Sequence, residues 1–133
     1  MIAVDASALF VLLLAEPEHE AYTDALSTNV LVMCAPSLVE LHVGAWRKSG
    51  PDLRDLAHEL VRDLEIETVS FDATMLAAAQ SGYDRFGKGR GREPAALNFG
   101  DCFAYGLAKS RDIPLLFKGK DFAMTDVKIA ASQ

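Results

Sequence analysis

Apolar and polar residues alternate along the chain in a pattern that predicts strands and helices in turn. Short apolar runs rich in β-branched residues predict strands, at Met1–Val4, Val30–Ala35, Glu65–Val69, Ile113–Phe117 and Val127–Ile129. Longer segments with apolar residues every three or four positions predict helices, at Ser7–Leu14, Glu18–Leu26, Ser37–Lys48, Leu53–Leu64, Ala73–Phe86 and Phe99–Lys109. Turn-forming residues separate the segments, most clearly at Ser49-Gly50-Pro51.

This order of elements predicts an α/β fold, in which a mainly parallel sheet is covered by helices on both faces. The 133 residues fit a single domain, 1–133, and half of them are apolar, which is enough for a hydrophobic core. Cys34 and Cys102 lie in apolar runs without a Cys or His at metal-ligand spacing, so we interpret them as reduced core residues. No apolar run reaches the roughly 18–20 residues of a membrane span, and no signal peptide is recognisable. We therefore expect a cytoplasmic protein that does not enter a membrane.

The net charge of −6 argues against a protein that coats nucleic acid through many Lys and Arg contacts. It does not exclude a nucleic-acid substrate, because cations bound by clustered acids reverse the local charge. Residues 83–93 have the opposite sign, with four basic side chains at Arg85, Lys88, Arg90 and Arg92. Glycines between these residues and the rings of Tyr83 and Phe86 indicate an RNA-contacting loop. The alternative is a solvated helix end whose cations suit the helix dipole.

Four acidic residues follow predicted strands, at the sheet edge where parallel α/β folds place their sites. Asp5 follows the first strand, Glu40 lies one turn into the helix after the second, Asp101 begins a late helix, and Asp121 follows the Ile113–Phe117 strand. Carboxylates gathered at one edge repel one another unless a cation holds them. Mg²⁺ or Mn²⁺ prefers such oxygen ligands. The pattern therefore predicts a metal site.

Each acid also has a purely structural explanation. Asp5 could cap the helix that follows it, and Asp121 could be an ordinary turn residue. Capping boxes are matched by the spacings Ser37–Glu40 and Asn98–Asp101. Only a metal site requires all four acids to converge. The apolar neighbours of Glu40 and Asp101 favour a partner or an ion for both.

Four segments together resemble VapC-type toxins of the PIN-domain ribonuclease family in their order and spacing. They are Asp5-Ala-Ser7-Ala-Leu9, Pro36–Glu40, Asn98-Phe-Gly-Asp-Cys-Phe-Ala-Tyr105 and Gly119–Asp126. The resemblance covers nearly the whole chain. It implies a PIN-like three-layer α/β/α sandwich, Mg²⁺- or Mn²⁺-dependent RNA cleavage, and a cognate VapB-like antitoxin that occupies the active-site groove.

Position by position, the resemblance assigns the metal-binding core to Asp5, Glu40 and Asp101, and the orientation of the first aspartate to Ser7. In many relatives the fourth acid lies two residues before Asp121, where this chain has Gly119. Asp121 or Asp126 would supply that carboxylate instead. We favour Asp121 as the ligand, with Asp126 beside the site, and the number of metal ions stays open.

The expected reaction is hydrolysis of an RNA phosphodiester bond, with the cation activating a water molecule. Glu40 would hold the same ion and could accept a proton. Two other functions are compatible with the sequence. One is an inactive PIN-like domain that acts by binding, which the missing acid at Gly119 allows. The other is a phosphatase with Asp5 as nucleophile, although Ser7 stands where such enzymes usually carry a second aspartate.

The remaining notable side chains suggest packing. The histidines His19, His42 and His58 are scattered, and we interpret them as surface or core residues, and Trp46 and Tyr105 as packing residues. The apolar residues Phe10, Leu13 and Leu14, with the Leu53–Leu64 helix, belong by default to the core. They could also supply the surface for a homodimer or for an antitoxin helix.

Overall fold

The computed structural model describes residues 1–130 and builds them around a four-stranded parallel sheet. Its strands are β1 (Ile2–Val4), β2 (Leu31–Cys34), β3 (Glu67–Val69) and β4 (Leu115–Leu116). They lie in the order β3-β2-β1-β4, and every neighbouring pair is parallel. Ala3 in β1 is paired with Val32 on one side and with Leu115 on the other. The strand that leads to Asp5 therefore lies inside the sheet.

Five helices connect the strands. They are α1 (Ala6–Leu13), α2 (His19–Ser27), α3 (Ala35–Asp63), α4 (Ala73–Phe86) and α5 (Phe99–Arg111). The long helix α3 contains both helices predicted between residues 37 and 64. Its backbone leaves helical angles at Ser49 and at Gly50, where φ is 73°. A positive φ favours glycine, and Pro51 then restarts the helix in its first turn.

The side chains of the strands alternate between two hydrophobic layers, as the period of a strand requires. Ile2, Val4 and Met33 pack with α1, α2 and α3 on one face of the sheet. Ala3 and Val32 pack with α4 and α5 on the other face. The predicted three-layer α/β/α sandwich with a parallel sheet is thus confirmed.

Three local predictions are wrong. Ser37 does not cap a helix, because α3 begins at Ala35 with Pro36 in its first turn, and Ser37 is buried beside the Cys34 thiol, its Oγ 3.3 Å from Sγ. Trp46 does not pack in the core, since it is 49% exposed and lies under the Arg54 guanidinium. The last predicted strand, Val127–Ile129, makes only an isolated bridge to Leu115.

Other expectations agree with the structure. Tyr105 is buried, and both cysteines are free thiols, Cys34 buried and Cys102 half-buried. Within residues 1–130, no helix combines the length and apolar character needed to cross a bilayer.

Candidate active site

Asp5 leaves the carboxyl end of β1 and uses only one of its two carboxylate oxygens locally. Its Oδ2 accepts hydrogen bonds from the Ser7 backbone N–H at 3.1 Å and from Ser7 Oγ at 2.5 Å, so Asp5 caps α1. Its Oδ1 is buried and has no hydrogen-bond partner among the described residues. Such an orphaned oxygen costs free energy unless a ligand satisfies it. The capping role and the metal role are therefore compatible at Asp5.

Ser7 connects Asp5 to the segment after β4. While its hydroxyl donates to Asp5, its Oγ accepts a hydrogen bond of 3.0 Å from the backbone N–H of Lys118. The backbone N–H of Asp5 in turn donates to the carbonyl oxygen of Leu116 at 2.9 Å. Ser7 therefore holds Oδ2 in place, as the sequence suggested, and fixes the direction of the free oxygen.

Asp101 lies in the first turn of α5 within a complete capping box. Its Oδ2 accepts from the Asn98 backbone N–H at 3.0 Å, and Asn98 Oδ1 accepts from the Asp101 backbone N–H at 2.8 Å. The capping explanation is therefore correct for this residue. Burial raises the pKa of Asp101 to about 8, with contributions from a hydrogen bond to Asp121 and from the charges of Asp5 and Asp121.

Glu40 extends from α3 toward the same place. Its carboxylate lies directly over Gly100, at the start of α5. Burial raises the pKa of Glu40 to about 7, and the charge of Asp5 adds to this effect. Burial likewise raises the pKa of Asp5, with the charge of Asp121 contributing.

The structure thus brings together the four acids that the sequence singled out. Asp121 follows Gly119 in the loop after β4, and its carboxylate contacts Asp101 and acts on Asp5. Within residues 1–130, no three Asp, Glu, His or Cys side chains already form the coordination shell of a metal ion. Two features nevertheless fit a divalent cation, namely the unpartnered Asp5 oxygen and the mutual repulsion of buried carboxylates.

Asp126 is held by other partners. Its carboxylate accepts a hydrogen bond from Tyr105 Oη at 2.7 Å and forms ion pairs of 3.3 Å with Arg85 and Lys109. Partial burial acts to raise the pKa of Asp126, but the bonds from Tyr105 and Lys109 outweigh it and lower the pKa. These bonds tie the C-terminal segment to α4 and α5. The structure therefore gives Asp126 a clamping role, and its predicted place beside the acids stays a prediction.

The predicted RNA-contacting loop retains exposed cations. Arg85 is engaged with Asp126 and with the Phe86 ring, whose centroid is 4.7 Å away. Lys88, Arg90 and Arg92 are exposed, and Arg90 lies 5.9 Å from the centroid of the Tyr83 ring. Arg85 is exposed as well, so all four predicted basic residues are open to solvent.

The histidines lie at the surface. His42 Nδ1 is 2.8 Å from His58 Nε2, across the kink of α3. His19 Nδ1 contacts the Glu16 carbonyl oxygen at 2.9 Å. The interpretation that they are surface residues agrees with these contacts.

Comparison with known proteins places this fold and site in a family. The PIN domain family profile matches residues 2–128. Ribonuclease VapC30 of Mycobacterium tuberculosis is 39% identical over 132 residues, covering 98% of each chain. Ribonuclease VapC of Mycolicibacterium smegmatis is 41% identical over 128 residues, covering 95% of this chain and 97% of its own.

Solved structures share the fold at lower identity. The crystal structure of Mycobacterium tuberculosis VapC20, described as a sarcin–ricin loop cleaving toxin, superposes with a TM-score of 0.74 at 15% identity over 96% of both chains. DNA-bound VapBC from Salmonella typhimurium gives a TM-score of 0.69 at 17% identity, covering 96% of this chain and 95% of that one. The parallel α/β/α sandwich is the fold that this chain shares with these structures. The chain belongs to the PIN-domain family, and within it to the VapC ribonucleases.

Proposed function

We propose that the protein is an endoribonuclease toxin that hydrolyses RNA phosphodiester bonds with Mg²⁺ or Mn²⁺ held by Asp5, Glu40 and Asp101. The observation that carries the proposal is the buried, unpartnered Oδ1 of Asp5 inside a group of acids with raised pKa values. The names of the curated relatives, which are ribonucleases, support the reaction class. Asp121 is the fourth acid of this proposal, beside Asp101.

Each residue has a separate task. Asp5 would bind the cation through Oδ1 while Ser7 holds its Oδ2 in place. Asp101 would bind the same cation, and the Asn98 cap sets the orientation of its carboxylate. When bound, the cation supplies Lewis-acid activation of water and of the scissile phosphate. Glu40, whose pKa is about 7 in the metal-free protein, would hold the same ion and could accept a proton from the attacking water.

Residues outside the acid cluster bind the RNA substrate. The exposed cations Lys88, Arg90 and Arg92 provide phosphate contacts, which compensate for the negative charge of the whole chain. The half-exposed Tyr83 ring provides a stacking surface for a base. RNA affinity should therefore depend strongly on salt.

Two surfaces suit protein partners. A groove of about 330 Å³ between α1 and the C-terminal half of α3 is lined by Leu12, Leu13, Leu56, Leu60, Glu59 and Asp63. Its apolar floor and acidic rim fit an amphipathic helix with basic flanks, and we assign it to a helix of a VapB-like antitoxin. The expected occupation of the active-site groove by the antitoxin stays a separate prediction. Solved neighbours described as VapBC complexes support such a partner.

The second surface is an apolar groove of about 610 Å³ between α4 and α5. Phe99 on its rim is 81% exposed, and Leu76 is also exposed. We assign this face to a second copy of the chain, because an apolar patch of this kind is typical of an interface.

The test of the reaction is cleavage of total RNA by the antitoxin-free protein with Mg²⁺, with Mn²⁺ and with EDTA. Asp5→Asn and Asp101→Asn should each lower cleavage by at least about 100-fold while the protein stays folded. Asp121→Asn reports on the fourth acid, and Asp126→Asn serves as the comparison outside the acid cluster. If folded, metal-bound wild type cleaves no RNA, the inactive binding domain is the correct description.

A further inference from the structure

The carboxylate of Glu40 occupies the space that any side chain at position 100 would need. A Cβ atom built on Gly100 would lie 1.7 Å from Glu40 Oε2 and 2.7 Å from its Cδ. Ordinary van der Waals contact begins at 3.4 Å. A methyl group at this position would therefore have to displace the carboxylate by about 1.7 Å.

The backbone does not explain the glycine. Gly100 lies in the first turn of α5, and the glycines of the described chain with positive φ are Gly50, Gly89 and Gly119. In a helix, glycine is less favourable than alanine by roughly 1 kcal/mol. Local stability would therefore favour alanine at position 100, and only the contact with Glu40 opposes it.

The two neighbours in the first turn of α5 fix two acids at once. Asp101 is locked by its capping box with Asn98, and the adjacent Gly100 lets Glu40 approach from α3. The charge of Asp5 contributes to the raised pKa values of both Glu40 and Asp101, so the three carboxylates lie near one another. The distance between the glutamate and the two aspartates therefore depends on how closely α3 and α5 can meet at Gly100.

We propose that Gly100 is a positioning residue for the reaction, because it admits the Glu40 carboxylate to the acid cluster. The inference rests on the proposed nuclease function. Metal ligands tolerate displacements of only about 0.2 Å from their ideal distances. A misplacement of about 1 Å can cost roughly 100-fold in rate. A single methyl group at position 100 therefore has a functional effect out of proportion to its size.

The experiment measures RNA cleavage and Mn²⁺ affinity for Gly100→Ala, Glu40→Asp and the double variant. Gly100→Ala should lower kcat about 100-fold and weaken Mn²⁺ binding at least about 10-fold. KM for RNA should stay within about threefold, and the Tm should be unchanged or slightly higher. The control is Gly44→Ala in α3, whose new Cβ meets only the Phe10 ring, and it should behave as wild type.

The double variant separates positioning from a general packing defect. Aspartate at position 40 is shorter by one methylene group, which frees space for the methyl group at position 100. Glu40→Asp should therefore reduce activity in the wild-type background and reduce it much less, or restore it, in Gly100→Ala. The inference about Gly100 would be wrong if Glu40→Asp caused the same loss of activity in both backgrounds, or if Gly100→Ala kept full activity and Mn²⁺ affinity. Neither result would affect the proposed nuclease function. A wild type that neither binds Mn²⁺ nor cleaves RNA would overturn the proposed function as well.

Discussion

At the scale of single residues, two acids of the cluster also have a structural task at the start of a helix. Asp5 caps α1 through Oδ2, and Asp101 completes the capping box of α5 by accepting the Asn98 backbone N–H through its own Oδ2. The structure confirms the capping explanation for both residues, and their metal-binding role stays a prediction. A carboxylate has two oxygens with several lone pairs, so a cap leaves one side of the group open to a ligand.

The pKa of Glu40 gives a prediction about stability. Because the pKa of this carboxyl is about 7 in the folded protein, above its ordinary value of 4.5, its favourable contribution is fully present below pH 4.5. It is lost as the pH rises to 7. Without metal, Glu40→Gln, which cannot ionise, should therefore match the wild type at pH 4.5 and exceed its Tm by about 3 °C or more at pH 8.

Thermal unfolding in EDTA across this pH range measures the difference. Glu59→Gln, an exposed substitution on the same helix, provides the control and should follow the wild type at every pH. A constant difference between Glu40→Gln and wild type from pH 4.5 to pH 8 would contradict the assigned pKa.

Residue-level prediction succeeded where a single rule sufficed. The convergence of Asp5, Glu40 and Asp101 follows from the carboxyl edge of a parallel sheet. The partners of Asp126 were missed, because Tyr105, Arg85 and Lys109 meet it only after α4 and α5 have packed. The contact between Glu40 and Gly100 was missed for the same reason, since it joins residues 60 positions apart.

At the scale of elements, the sequence predicted the helices and strands but not every boundary. The kink of α3 was recognised from Ser49-Gly50-Pro51, because a positive φ and a proline are local properties. The start of the same helix at Ala35 was not predicted from the sequence, because Ser37 has a side chain that is typical of a helix cap. Ser37 is instead buried against Cys34 and lies inside the first turn of the helix. Caps can be predicted only where tertiary packing leaves the side chain free.

The packing of α4 on α5 depends on a glycine. A Cβ on Gly82 would lie 2.3 Å from the ring of the buried Tyr105. We expect Gly82→Ala to lower the free energy of unfolding by about 1–3 kcal/mol, as overpacking does, despite the better helix propensity of alanine. Urea unfolding measures this value. The exposed neighbour Gln80→Ala should change it by less than about 0.5 kcal/mol, and a neutral or stabilising Gly82→Ala would contradict the close packing.

At the scale of the whole molecule, the assignment of the α4–α5 face to a second copy can be tested directly. Phe99→Asp places a charge on a side chain that is 81% exposed, so the fold should survive. Wild type should sediment as a dimer at micromolar concentration and Phe99→Asp as a monomer. Leu56→Asp, on the other apolar groove, is the matched control and should remain dimeric. A monomeric wild type would contradict the assignment.

The central position of β1 has a consequence for the synthesis of the protein. Asp5 is made well before β4, yet its strand pairs with β4, and its cap is fixed through Ser7 by the backbone of Lys118. Asp101 and Asp121 also come late in the chain. A nascent chain that has not yet released β4 from the ribosome therefore lacks a complete acid cluster. The proposed ribonuclease site would therefore be complete only after the residues up to Asp121 have left the ribosome.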